Sequence, residues 1–224
     1  MEPESDAEMD LTTWIFHAAE WIGTIAFAVS GAMIAIDRKL DLFGIIFLGV
    51  VTALGGGTVR DIILGHFPPR MFYNYQYVLL AVVTAVIVFI AVRRHRNGYF
   101  RNRERIDRYN NVFDAIGLGA FAVTGVEVAM SAGYGANGFL CIFLGMTTGV
   151  GGGLLRDMMS RRLPYVLHKH VYALAAIAGS GLYYAMVRLN IGESAATLAG
   201  MAITILIRML AAHYHWNLPK THDD

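Results

Sequence analysis

The 224 residues are 56% hydrophobic and 16% charged, where a soluble domain carries about a quarter of its residues charged. The formal net charge of +1 says little by itself, and the single cysteine, Cys141, excludes an intrachain disulfide. Long apolar runs exclude an ordinary soluble enzyme and point to a polytopic membrane protein.

The chain opens on an acidic stretch, 1–10, that lacks the basic flank of a secretory signal, so 1–13 reads as an extramembrane tail. Seven apolar segments follow, near 14–36, 42–64, 75–92, 112–130, 138–159, 171–187 and 195–212. Most have 17 to 23 residues. That length suits a hydrocarbon core of about 30 Å at a rise of about 1.5 Å per residue. The expected fold class is all-α, with seven transmembrane helices.

The chain repeats itself. Ile22-Gly23-Thr24-Ile25-Ala26-Phe27-Ala28-Val29-Ser30-Gly31 aligns with Ile116-Gly117-Leu118-Gly119-Ala120-Phe121-Ala122-Val123-Thr124-Gly125, identical at seven of ten positions. Just upstream Glu20 matches Asp114. Further on, Gly55-Gly56-Gly57-Thr58-Val59-Arg60-Asp61 returns as Gly151-Gly152-Gly153-Leu154-Leu155-Arg156-Asp157. Pro68 matches Pro164, and each is read as the stop after its glycine-bearing helix. Two three-helix units, 14–92 and 112–188, are therefore expected, with a basic loop at 93–111, a seventh helix within 189–212 and a tail at 213–224. Because each unit has an odd number of spans, the second enters from the opposite side, which gives an inverted repeat.

Charge sets the orientation. With the N-terminus on one face, thirteen Lys and Arg residues fall on the other face, against Arg70 and Arg188 on the first. The positive-inside rule then puts the N-terminus outside and the C-terminus in the cytoplasm. The arginine-rich 93–108 stretch is read as a topological loop beside anionic headgroups, not as a nucleic-acid site.

The glycine triplets have two readings. Small residues let membrane helices cross closely. Alternatively, three glycines break a helix at mid-membrane and line a water-filled path. Repetition at matching positions of two halves favours the break and makes the triplets the best pointer to a transport site. Ser30, Thr124, Thr52 and Thr148 are matched hydroxyls beside them and candidate pore lining. Arg60, Asp61, Arg156 and Asp157 follow as candidate gating or selectivity charges, one pair toward each mouth. Adjacent helical residues point about 100° apart, so neither pair is expected to bond internally. Their separation also argues against Arg60 pairing with Asp157. Glu20 and Glu127 are further acids within spans, and Asp114 lies near a span end. His17, His66, His168, His170, His213 and His215 lack metal-site spacing with acids or cysteine. No nucleophile–base arrangement or phosphate loop is present, so no catalytic residue is named and no enzyme is expected.

The doubled Gly-Gly-Gly-x-x-Arg-Asp, with Phe-Ala-Val-Ser/Thr-Gly before each copy, resembles the bacterial branch of the trimeric intracellular cation (TRIC) channel family. The resemblance runs from about Trp14 to Ala212. It implies a homotrimer in the bacterial plasma membrane, each protomer with a pore between the second and fifth helices, kinked at their glycines. It implies monovalent cations, chiefly K⁺, as permeant ions, no cofactor, and bound lipid as the other partner. The animal branch carries a Lys-Glu-Val motif, whereas this chain reads Gly125-Val126-Glu127-Val128 without the lysine, so phosphoinositide regulation is not expected. Bacterial relatives have also been assigned to glycine uptake, which keeps a carrier of small zwitterions as the alternative.

Overall fold

The computed structural model describes residues 11–95, 103–168, 171–214 and 216. Among the described residues there are seven long helices: α1 Leu11–Asp37, α2 Leu42–Ile63, α3 Tyr75–Arg94, α4 Arg103–Ala129, α5 Gly138–Met159, α6 Tyr172–Arg188 and α7 Glu193–His213. Single turns at Arg70–Phe72, Met130–Tyr134 and Tyr165–His168 join them, and no strand occurs among the described residues. Six of the long helices have the length and apolarity to cross a membrane, while α6 has 17 residues. Large apolar side chains such as Phe43, Ile87, Phe139 and Leu198 stand on the outside, which suits lipid and not water.

Packing follows the sequence repeat. Helix α1 packs on α2 and α3, and α4 packs on α5 and α6. The groups meet through α1 against α4 and α2 against α5, and α7 lies on α6 and α4. In their most apolar windows α1 and α4 are 72% buried and α3 only 17%, so α1 and α4 form the centre. One apolar cluster, including Phe27, Ala53, Leu118 and Val150, joins the two groups. Two others lie within them, around Ile34 and Leu48 and around Val126 and Leu144.

Both α2 and α5 run unbroken through their glycine triplets, so the expected mid-membrane break is absent. The glycines serve approach. A Cβ on Gly56 would overlap the Thr148 carbonyl, and one on Gly152 would overlap the Thr52 carbonyl. Each helix thus seats a glycine on the other's backbone, which interhelical packing without a hydrophobic driving force requires. Gly31 and Gly125 do the same on the other sides: a Cβ would lie 2.6 Å from the Leu48 carbonyl and 2.8 Å from the Leu144 carbonyl.

Several boundaries differ from those read off hydropathy. Helix α1 begins at Leu11, inside the expected tail, and α4 begins at Arg103, inside the expected 93–111 loop. Hydropathy marks where lipid ends, whereas the Arg- and Glu-containing flank of α4 continues the backbone because such residues are good helix formers. The prolines are not the stops. Helix α2 ends before Gly65, at φ 73°, and α5 before Arg161, at φ 52°. The left-handed residue ends each helix three positions ahead of Pro68 and Pro164. The tail at 1–10, the loop centre at 96–102, Lys169, His170, His215 and 217–224 lie outside the described residues.

Candidate functional site

At the end of the bundle where α1 begins, a cavity of about 250 Å³ opens between α1, α2, α3 and the turn before α3, with Phe121 reaching it from α4. Glu20, Gly57, Arg60 and Asp61 line it. The Glu20 carboxylate accepts from the Tyr77 hydroxyl at 2.6 Å and lies 3.4 Å from His17 Nδ1. The neighbours Arg60 and Asp61 do bond to each other, against expectation: Arg60 Nε and Nη2 both donate to Asp61 Oδ1, at 2.9 and 2.8 Å. The arginine stem is long enough to curl back across the 100° between them, and a buried carboxylate makes that return favourable. Asp61 Oδ2 accepts the Arg70 backbone N–H at 2.9 Å, so the aspartate also ties down the chain after α2.

The second copy repeats this wiring. Arg156 Nε donates to Asp157 Oδ1 at 2.9 Å, and Asp157 Oδ2 accepts the Tyr165 N–H at 3.0 Å. Here, however, the guanidinium reaches further. Arg156 Nη1 donates to Asp114 Oδ1 at 2.6 Å and to Ser30 Oγ, whose own proton goes to Asn110 Oδ1 at 2.8 Å. Arg156 also lies 5.4 Å from the centre of the Tyr165 ring, and Arg208 lies 4.7 Å from that of Tyr172. Arg156 and Asp114 are both 0% exposed, so this end is shut by a packed ionic cluster. Burial raises the Tyr165 phenol, which stays protonated beside it.

Neither arginine reaches toward headgroups, and no bond joins Arg60 to Asp157. Thr52 and Thr148 are buried and donate to the carbonyls of Leu48 and Leu144, both at 2.6 Å, facing Gly31 and Gly125. Gly55, Gly56, Gly151, Gly152 and Gly153 are buried at or beside the helix crossing. Thr124 is buried, and its Oγ1 makes no hydrogen bond. Glu127 lies elsewhere, on a second cavity of about 290 Å³. There it accepts from the Ser131 hydroxyl at 2.9 Å and from the Tyr183 hydroxyl. Phe16, His17 and Arg70 border both cavities. Among the described residues no cluster has the makings of a metal site.

Sequence reasoning passed over Tyr77, Asn110, Tyr172 and the role of Arg208. Asn110 sits four residues before Asp114 on one face of α4, upstream of the apolar run that begins at 112. Arg208, a lone charge in an apolar helix, was the available sign of a buried partner. Tyr77 and Tyr172 carried no such mark.

A family model described as Glycine transporter matches residues 17–93 and 111–188, one stretch on each copy of the repeat. The chain is 36% identical to a UPF0126 membrane protein of Vibrio cholerae over 96% of its length and 86% of that protein's. It is 36% identical to the UPF0126 inner membrane protein YadS of Escherichia coli K12, over 88% of this chain and 92% of the relative. Among solved structures it resembles the TRIC trimeric intracellular cation channel orthologue from Rhodobacter sphaeroides. That likeness has a TM-score of 0.81 and 32% identity, over 90% of this chain and 99% of the other. A prokaryotic TRIC channel gives a TM-score of 0.79 and 33% identity, over 92% and 99%.

Proposed function

The chain belongs to the bacterial TRIC and UPF0126 membrane-protein family, and from that premise we propose that it is a cation channel selective for K⁺. It is a membrane protein and not an enzyme. The observation that carries the reading is the cavity of about 250 Å³ that enters the bundle beside Glu20. An acid on the wall of a narrow polar entrance favours cations over anions. Because α2 and α5 seat their glycines directly on each other, the path runs beside that crossing, bounded by α1 and α4, and not through a broken helix. The matched contacts of the two copies support seven spans arranged as an inverted repeat. The family supports a homotrimer with one path per protomer, lipid around it and no cofactor.

Purified protein in planar bilayers is expected to give unitary currents that reverse near the K⁺ equilibrium potential. Glu20→Gln should lower their amplitude at low salt, where an entrance charge matters most. Absence of K⁺ current at every voltage, with saturable solute uptake in its place, would reject the channel.

One observation favours a second reading. The cavity presents both Arg60 and Glu20, a cation and an anion suited to the carboxylate and ammonium of a zwitterion such as glycine. A carrier would show concentrative uptake and counterflow in proteoliposomes. Flux that never saturates and never runs uphill would exclude it.

A further inference from the structure

The second cavity, of about 290 Å³, lies between the first turns of α1 and α7 and the last turns of α4 and α6. No described residue of α2 or α5 lines it. Its polar side comes from three helices. Glu127 on α4 is fixed by two hydroxyls, those of Ser131 and of Tyr183 on α6, which donate to different carboxylate oxygens. Tyr183 is 1% exposed, so this acid is positioned from inside the bundle. Glu193, in the first turn of α7, is an exposed second carboxylate on the same lining. Thr197, one turn further on, is buried and lines the cavity too. Its hydroxyl is not spent on the carbonyl four residues back, as that of Thr204 on the same helix is. Beside the cavity the hydroxyls of Thr12 and Ser194, 3.3 Å apart, tie the starts of α1 and α7 together.

Charge and shape together select an occupant. Two carboxylates share the lining with one guanidinium, that of Arg70, and one imidazole, that of His17. With the imidazole neutral, the lining is one positive charge short of balance. A bare metal ion fits poorly, because no group among the described residues has the makings of a metal site and the space far exceeds one ion. A primary ammonium brings three N–H donors to a lining rich in carboxylate and hydroxyl acceptors. Phe16 and Val128 add an apolar part to the same lining, suited to a short carbon chain. A few placed polar groups beside apolar surface is the general make-up of a small-molecule site. We propose that this cavity binds a primary ammonium compound with a short apolar tail. The ammonium donates to Glu127, Glu193 and Thr197 Oγ1, and the tail lies on Phe16 and Val128. Phe16, His17 and Arg70 stand between it and the first cavity, so the occupant stays out of the path beside Glu20. Binding is read without transport, so the site stands or falls apart from the channel.

The test follows thermal unfolding of the full chain in detergent during titration with n-butylammonium chloride. Controls are KCl at the same ionic strength, n-butanol and sodium butyrate. A saturable rise in Tm that none of the controls reproduces is expected. Glu193→Gln alters an exposed side chain that the fold tolerates, and should weaken butylammonium about two- to fivefold. Glu127→Gln should weaken it about tenfold or more, because that carboxylate is held in place and partly buried. Glu20→Gln, in the first cavity, should leave the affinity within about twofold. The proposal is overturned if Tm does not move at any butylammonium concentration, or if KCl or n-butanol gives the same rise. It is equally overturned if Glu193→Gln and Glu127→Gln both leave the affinity unchanged, or if Glu20→Gln abolishes binding, which would put the ammonium in the first cavity.

Discussion

At the scale of the residue, the glycines of each triplet are not equivalent. A Cβ on Gly56 would run into the Thr148 carbonyl, whereas one on Gly57 would meet nothing nearer than Arg60 Nη2 at 3.5 Å, the end of a flexible side chain. Gly56→Ala is therefore expected to lose about 1–3 kcal/mol by overpacking, and Gly57→Ala to be close to neutral. Thermal unfolding in detergent separates them: Gly56→Ala should lower Tm by several degrees and Gly57→Ala should not. Equal drops would mean that helix propensity and not the crossing sets the effect. Arg156 supplies a sharper case. Arg156→Gln leaves Asp114 and Asp157 buried without their cation, and losing one member of a buried ionic group costs about 3–5 kcal/mol. Arg156→Gln with Asp114→Asn removes both charges of that pair and should recover part of the loss, which the same melting experiment reads. A double variant no more stable than the single one would show that Asp157 alone carries the cost.

At the scale of the element, the chain's punctuation comes in matched pairs. Asp41 caps α2 by accepting the Gly44 N–H at 2.8 Å, and Asn137 caps α5 by accepting the Leu140 N–H at 3.1 Å. Asp41→Ala and Asn137→Ala should each cost about 1 kcal/mol, additively, because the caps belong to different helices. A double variant well below that sum would show the two helix starts to be coupled. Much of this level was legible beforehand. The apolar runs overlap the long helices found among the described residues, because hydropathy is a property of the chain itself. Of the two readings of the glycine triplets, close approach and a break, the helices show close approach. Both uses of glycine need the same absent Cβ, and only the position of the Thr148 and Thr52 carbonyls decides between them. The internal bond of Arg60 to Asp61 was missed for a related reason. Helical angles fix where a Cβ points, not where a long guanidinium ends. Residues from distant segments, such as Tyr77 on Glu20 and Asn110 on Ser30, depend on tertiary contact and left no local trace.

At the scale of the whole molecule, basic residues gather at one end. Arg38, Arg93, Arg94, Arg108, Arg161 and Arg162 gather at the end that Arg156 seals, and there Arg162 pairs with Asp37 at 3.2 Å while Arg38 donates to the Arg161 carbonyl. The opposite end, with the cavity, holds Arg70 and Arg188. Cationic flanks are retained on the cytoplasmic side during insertion, so the sealed end should face the cytoplasm and the cavity the outside. A fluorescent protein that matures only in the cytoplasm, fused after Asp224, should therefore fluoresce. An alkaline phosphatase that is active only outside should be inactive at the same position and active in the loop between α2 and α3. Replacing the arginines of the 93–108 stretch by Gln should weaken this bias and yield a mixed population, because they supply much of the asymmetry. Wild-type chains in which both C-terminal reporters are active would mean dual insertion. The two ends would then face either side, and the open cavity could not be assigned to the outside.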